Sequence, residues 1–189
     1  MNDFILASAS PRRKMLLEQI GVRPSRVVPA EIDETPLKKE LPLRYAARMA
    51  LEKARRVADM NPGHYVLAAD TVVACGRLIL PKAETAEQAA DCLERLSGRR
   101  HRVYGGICLI RPDGSFSLRT VKTAVLFRPL SAADRNAYLE SGEWEGKAGG
   151  YAVQGKAALF VRGIIGSYSN VVGLGLYETG ALLAGNGLI

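Results

Sequence analysis

Two long β-prone runs, residues 103–110 and 117–127, follow one another with only a turn signal, Pro112-Asp113-Gly114, between them. Strands joined so tightly pair antiparallel, because a parallel crossover needs about a dozen residues or more, usually a helix. This feature alone excludes a purely parallel, doubly wound sheet. Helical patterns occur elsewhere, so the expected class is α/β in its broad (α+β) sense: a mixed, partly antiparallel sheet with flanking helices. The chain has 189 residues, 48% hydrophobic and 24% charged, which is material for one domain spanning residues 1–189. No internal repeat, low-complexity tract or linker divides it.

Residues 4–7, Phe-Ile-Leu-Ala, predict a short buried strand. Ser10 and Pro11 read as N-cap and first-turn proline of a helix that stops at Gly21, and residues 26–29 as a second short strand. Ala47, Ala50, Leu51, Ala54, Val57 and Ala58 recur at helical spacing, so a helix is expected over about 43–60, ended by Asn61-Pro62-Gly63. Residues 65–69 predict an apolar strand ending at Asp70, with 71–75 continuing extended and 78–80 pairing back on them. Thr85 with Gln88, and Ser131 with Asp134, read as capping boxes of two further helices, closed by Gly98 and Gly142. Gly146, Gly149, Gly150 and Gly155 surround residues 151–154, and a strand near 159–165 and a helix near 177–183 complete the chain.

No apolar run approaches the ~20 residues of a membrane span, so no membrane partner is expected. Arg12, Arg13 and Lys14 follow the first apolar run instead of preceding it, the reverse of a secretory leader, and the expected compartment is the cytoplasm. Cys75, Cys92 and Cys108 are odd in number and widely spaced, which fits free thiols and no paired-cysteine zinc site. Lys and Arg number 26 against 19 Asp and Glu, a net charge of +7. The excess lies in residues 95–128, where eight basic side chains face one acid, Asp113. These are read first as the wet faces of two strands, and second as a surface for a polyanion.

Chemistry concentrates elsewhere. Ser8, Ser10, Arg12 and Arg13 gather hydroxyls and guanidinium groups at a helix N-terminus, where free N–H groups and the dipole already favour an anion. Asp70 sits where the apolar strand is expected to end, a usual address for catalytic residues in open sheets. Glu31, Asp33 and Glu34 form an acidic cluster of hard oxygen ligands suited to Mg²⁺ or Mn²⁺. Lys53, mid-helix, and Lys82, in an expected turn, gain meaning only if they face one cleft. A G-x-x-x-x-G-K-[ST] loop is missing, Gly173-Leu-Gly175 lacks the third glycine of a dinucleotide site, and neither histidine has a nucleophile elbow near it. Trp144 is expected to anchor a loop.

Taken in order, Ser8-Ala-Ser10-Pro11-Arg12-Arg13, Glu31-Ile-Asp33-Glu34, Glu52-Lys53-Ala54, Ala69-Asp70-Thr71, Leu96-Ser97-Gly98 with His101 and Val103-Tyr104, Lys147-Ala-Gly149-Gly150-Tyr151-Ala-Val-Gln154-Gly155 and Gly166-Ser-Tyr-Ser-Asn170-Val-Val-Gly173-Leu resemble the Maf family of nucleoside triphosphate pyrophosphatases across nearly the whole chain. The resemblance implies an elongated mixed sheet in two lobes around a central cleft, similar to the inosine triphosphate pyrophosphatases. It further implies a cytoplasmic homodimer, dependent on Mg²⁺ or Mn²⁺, that cleaves a nucleoside triphosphate to monophosphate and pyrophosphate. By that resemblance Asp70 is the proton acceptor and a metal ligand, Glu31 a metal-side carboxylate, and Ser8, Arg13, Lys53 and Lys82 hold the triphosphate, beside the anion site that Ser10 and Arg12 complete. Arg12, Thr71 and Gln154 match the positions that mark the dTTP/UTP branch, as against a branch acting on 7-methyl-GTP. The family's usual Gly-Lys-Pro is here Pro81-Lys82-Ala83, and its Gly-Leu-Pro-Leu is Gly173-Leu-Gly175-Leu176. The expected reaction is hydrolysis at the α-phosphorus of a pyrimidine nucleoside triphosphate. The alternative of another class is a nucleotide- or RNA-binding module using the basic strands at 95–128 without turnover, although nucleic acid is not the expected partner.

Overall fold

The computed structural model describes residues 3–189. The chain runs β1 (Phe4–Ala7), α1 (Pro11–Gln19), β2 (Arg26–Val27), α2 (Pro42–Met60), β3 (Tyr65–Cys75), β4 (Leu78–Leu80), β5 (Lys82–Ala83), α3 (Ala86–Leu96), β6 (Arg100–Ile110), β7 (Phe116–Phe127), α4 (Ala132–Glu140), β8 (Lys147–Ala148), a 3₁₀ segment (Lys156–Phe160), β9 (Val161–Ile165), α5 (Tyr168–Val172) and α6 (Leu176–Ala184). Seven strands form the main sheet in the order β2-β1-β3-β6-β7-β9, with β4 paired to the far end of β3. β1 lies parallel to β2 and β3, and the other pairs are antiparallel. A separate ribbon pairs β5 with β8.

Both faces of the sheet are covered, which is why all four residues of β1 are buried. On one face lies α2, whose buried positions fall in two rows spaced by four: Tyr45, Met49, Lys53 and Val57, and Ala46, Ala50 and Ala54. The alanine row lets the helix backbone approach β6 closely. A Cβ at Gly106 would stand 2.1 Å from the Ala46 carbonyl oxygen, so only glycine fits there. On the opposite face the larger core runs from Leu17 of α1 through Leu93 and Leu96 of α3 to Leu174 and Leu183 at the end of the chain.

The structure corrects several local expectations. Asp70 does not end a strand: β3 continues through it to Cys75, with Asp70 opposite Gly106 and Thr71 opposite Gly105. Polar side chains interrupt the apolar pattern there, but the backbone ladder is indifferent to them. Lys82 lies in β5 and not in a turn. Gln88 returns its side chain to the Glu84 N–H instead of the Thr85 N–H, so only Ser131 and Asp134 close a reciprocal capping box. The second strand is two residues long, and the strand expected near 159–165 begins at Val161 after a 3₁₀ segment. The five-residue α5, capped by Ser167, is too short for periodicity to announce. Trp144 does anchor its loop, its indole N–H donating to the Leu139 carbonyl at 2.8 Å. All three cysteines are free, and no described helix is long and apolar enough to cross a membrane.

Candidate active site

A cleft of about 390 Å³ opens between the sheet and the β5–β8 ribbon. One wall is the turn after β1, the first turn of α1, Lys53 of α2 and Asp70 and Thr71 of β3; the other is Lys82, Lys147 and the segment 151–154. It thus collects Ser8, Ser10, Arg12, Arg13, Lys53, Lys82, Asp70, Thr71 and Gln154, nine residues from five separate stretches of the chain. Glu31 is the exception: it is exposed on the loop after β2 and does not line the cleft, whereas Glu34 does.

At the α1 end, Ser10 occupies the N-cap position but its hydroxyl caps nothing. Arg13 is 9% exposed, and its guanidinium donates from Nε to the Gly173 carbonyl at 2.9 Å, from Nη1 to Ser8 Oγ at 3.1 Å and from Nη2 to Thr71 Oγ1 at 3.2 Å. Burial lowers its pKa, while the nearby Asp70 charge pushes it back up. Arg12 Nε is buried without a hydrogen-bond partner, and burial lowers this guanidinium too. Thr71 donates its hydroxyl to the Gly173 carbonyl at 3.2 Å, so this side chain is engaged in holding Arg13 and keeps only acceptor capacity toward a ligand.

At the other end, the Lys53 ammonium lies 2.6 Å from Asp70 Oδ1 and 2.8 Å from Glu34 Oε1, and the second Glu34 oxygen pairs with Lys82. Lys53 is 7% and Asp70 4% exposed, so each charge is buried with its partner. Burial pushes the Glu34 carboxyl up, but its bonds to Lys53 and Lys82 outweigh that and hold it below its ordinary value. Tyr45, two turns before Lys53 on α2, donates its hydroxyl to the Glu34 carbonyl at 2.6 Å and fixes that loop to the helix. Asp70 Oδ2 remains for a ligand.

The two ends differ in charge balance. Lys53 and Lys82 are matched by Asp70 and Glu34, whereas among the described residues Arg12, Arg13 and Lys147 form no ion pair. Lys147, whose ammonium donates to the Glu145 carbonyl at 2.8 Å, has its pKa lowered by burial and by Arg12. Three cations with no ion-pair partner, beside the single carboxylate of Glu145, call for an anionic ligand. For a divalent cation, no described group of three His, Cys, Asp or Glu side chains converges. Of the three carboxylates that line the cleft, Asp70, Glu34 and Glu145, the first two nonetheless match the usual Mg²⁺ arrangement of one or two carboxylates completed by substrate phosphates and water. Asp70 Oδ2 is the oxygen of this pair that no lysine holds, so such an ion would bind from Asp70, joined by Glu34 once Lys53 or Lys82 has moved to the phosphates, while Glu31 stands outside the cleft.

A family model described as "Maf-like protein" matches residues 3–186. The dTTP/UTP pyrophosphatase of Paramagnetospirillum magneticum is 64% identical over 187 residues, covering 99% of this chain and 98% of the other. That of Caulobacter vibrioides is 60% identical over 184 residues, covering 97% and 95%. Among solved structures, a HAM1 protein from Coxiella burnetii superposes with a TM-score of 0.53 at 17% identity, covering 97% of this chain and 99% of that one, a likeness of fold. With a matching model spanning all but the ends and relatives this similar over nearly their full length, the chain belongs to the Maf family.

Proposed function

We propose that this protein is a nucleoside triphosphate pyrophosphatase that hydrolyses UTP and dTTP to the monophosphate and pyrophosphate, the activity in the names of its 64% and 60% identical relatives. The observation that carries the reading is one cleft holding a buried carboxylate with an open oxygen, Asp70, between a helix N-terminus and cations from four separate segments. Asp70 accepts the proton of the water that attacks the α-phosphorus. Arg13, held rigid by Ser8, Thr71 and the Gly173 carbonyl, meets the growing charge on the pyrophosphate without reorganising, and Lys53 and Lys82 turn from their carboxylates toward it. A divalent cation, Mg²⁺ or Mn²⁺, held by Asp70 and Glu34 would supply charge neutralisation and a more acidic water. Gln154 reads the base: its amide donates to O4 and accepts from N3–H of uracil or thymine, a pair that cytosine inverts. A cytoplasmic setting and a homodimeric assembly belong to the same reading.

The test is a panel of nucleoside triphosphates with Mg²⁺, with products separated by chromatography. UTP and dTTP should yield monophosphate and pyrophosphate well ahead of CTP and GTP. Initial products of diphosphate and orthophosphate would place attack at the terminal phosphorus and overturn the reading.

A further inference from the structure

Gln154 lines the cleft with its side chain exposed, so the position of its amide is set by the backbone that carries it. That backbone is a turn closed by the Gly155 N–H on the Ala152 carbonyl at 3.1 Å. It is tied down on both sides by residues of one neighbouring segment. Two residues before Gln154, the Ala152 N–H donates to the Tyr138 hydroxyl at 3.1 Å. Two residues after it, the Lys156 N–H donates to Glu143 Oε2 at 2.6 Å.

Neither anchor is free to drift. Tyr138 is 1% exposed and packs edge-on against Phe160 with ring centroids 5.5 Å apart, so its hydroxyl is presented from a rigid ring. Glu143 follows α4 in a loop where its own N–H donates to Ser141 Oγ, and its carboxylate fills the space beside Gly155. A Cβ at Gly155 would stand 1.9 Å from Glu143 Oε2. Gly155 does not have a left-handed φ, so the requirement for glycine there comes from the carboxylate and not from the backbone.

We infer that Tyr138 and Glu143 are positioning residues for base recognition, pinning from two sides the turn that presents Gln154. The inference rests on the reading of Gln154 as the residue that meets the pyrimidine. An amide separates uracil from cytosine only while its orientation and place are held, because a rotated amide matches the inverted donor and acceptor equally well. Displacements of about 1 Å at such a site can cost on the order of 10²-fold in rate. Neither side chain touches the base; each acts through the backbone.

The experiment compares kcat/KM for UTP and CTP, by pyrophosphate release, together with melting temperature, in the wild type and in Tyr138→Phe, Glu143→Ala, Glu143→Gln and Gly155→Ala. Tyr138→Phe removes one hydroxyl, and Glu143→Ala removes the acceptor for the Lys156 N–H. Both should lower the UTP-to-CTP ratio about tenfold, with KM for UTP rising. Glu143→Gln keeps an acceptor oxygen and should retain a ratio near that of the wild type. Gly155→Ala, which displaces the carboxylate, should behave like Glu143→Ala. A lowered melting temperature with an unchanged ratio in Tyr138→Phe and Glu143→Ala would reduce both residues to structural tethers and overturn the proposal. Gln154→Ala is the control: if it leaves the ratio of the wild type unaltered, the base-reading role of Gln154 fails, and the inference built on it fails for that separate reason.

Discussion

At the scale of single residues, the decisive group is Lys53, a cation in an otherwise apolar helix row, 2.6 Å from Asp70 and 2.8 Å from Glu34. It joins two carboxylates that would otherwise repel, and it can move to a phosphate when one arrives. Asp70→Asn keeps the shape and loses the proton acceptor, so kcat for UTP should fall on the order of 10²-fold or more while KM shows that substrate still binds. A near-normal kcat at neutral pH would remove Asp70 from the role of base. Glu34 and Glu31 make a matched pair of tests. Glu34→Ala leaves Lys53 and Lys82 without their shared partner and should lower kcat/KM at least about tenfold, whereas Glu31→Ala, outside the cleft, should stay within about twofold. Equal losses in the two variants would refute the assignment. The acidic cluster itself was legible in the sequence, but which of its members enters the cleft was not. That choice is made by the Tyr45 hydroxyl on the Glu34 carbonyl, a contact with a helix eleven residues away in sequence, and local pattern carries no trace of it.

At the scale of elements, the site depends on how near α2 lies to the sheet, since this helix supplies both Lys53 and the Tyr45 tether. Gly106→Ala would drive a Cβ into the Ala46 carbonyl, which is helix backbone and cannot rotate away. The expected cost is about 1–3 kcal/mol of stability, read from urea unfolding, with a fall in kcat at temperatures where the variant is still folded. Unaltered stability would mean that α2 has slack against β6. Long elements such as α2, β6 and β7 were legible because buried rows, turn residues and caps agree over many residues. The two-residue strands β5 and β8 and the five-residue α5 were not, since they are fixed by tertiary pairing and not by their own sequence. Yet β5 places Lys82 and α5 leads into Gly173, whose carbonyl holds Arg13. The residues of the site could therefore be named from the sequence, but the short scaffolds that aim them could not.

At the scale of the whole molecule, the basic surplus of residues 95–128 is partly engaged within the fold. Arg111 bonds Asn186, Ser115 and Ser117, and Arg128 pairs with Asp134 and bonds the Leu159 carbonyl, which weakens the case for a continuous polyanion surface. The more consequential titratable group is inside. His101 of β6 is 1% exposed, its Nε2 lies 2.8 Å from the Tyr151 hydroxyl, and its Nδ1 has no partner. Tyr151 belongs to the cleft wall, so this buried pair ties the sheet to the segment that carries Gln154. Burial drops the histidine pKa from 6.5 to about 4. The folded protein therefore holds the neutral imidazole, and the unfolded chain binds the proton first as pH falls. This contribution is complete well above pH 6.5 and declines as pH falls from 6.5 to about 4, and the loss amounts to roughly 3 kcal/mol once both forms are protonated. Carboxylates titrate in the lower part of that window, so the measurement is the difference between wild type and His101→Phe in urea unfolding from pH 8 to pH 4. His101→Phe strands the Tyr151 hydroxyl and should be less stable at pH 8, but its stability should fall less steeply than that of the wild type between pH 6.5 and pH 4. Parallel curves over that range would show that His101 is not buried as a neutral base.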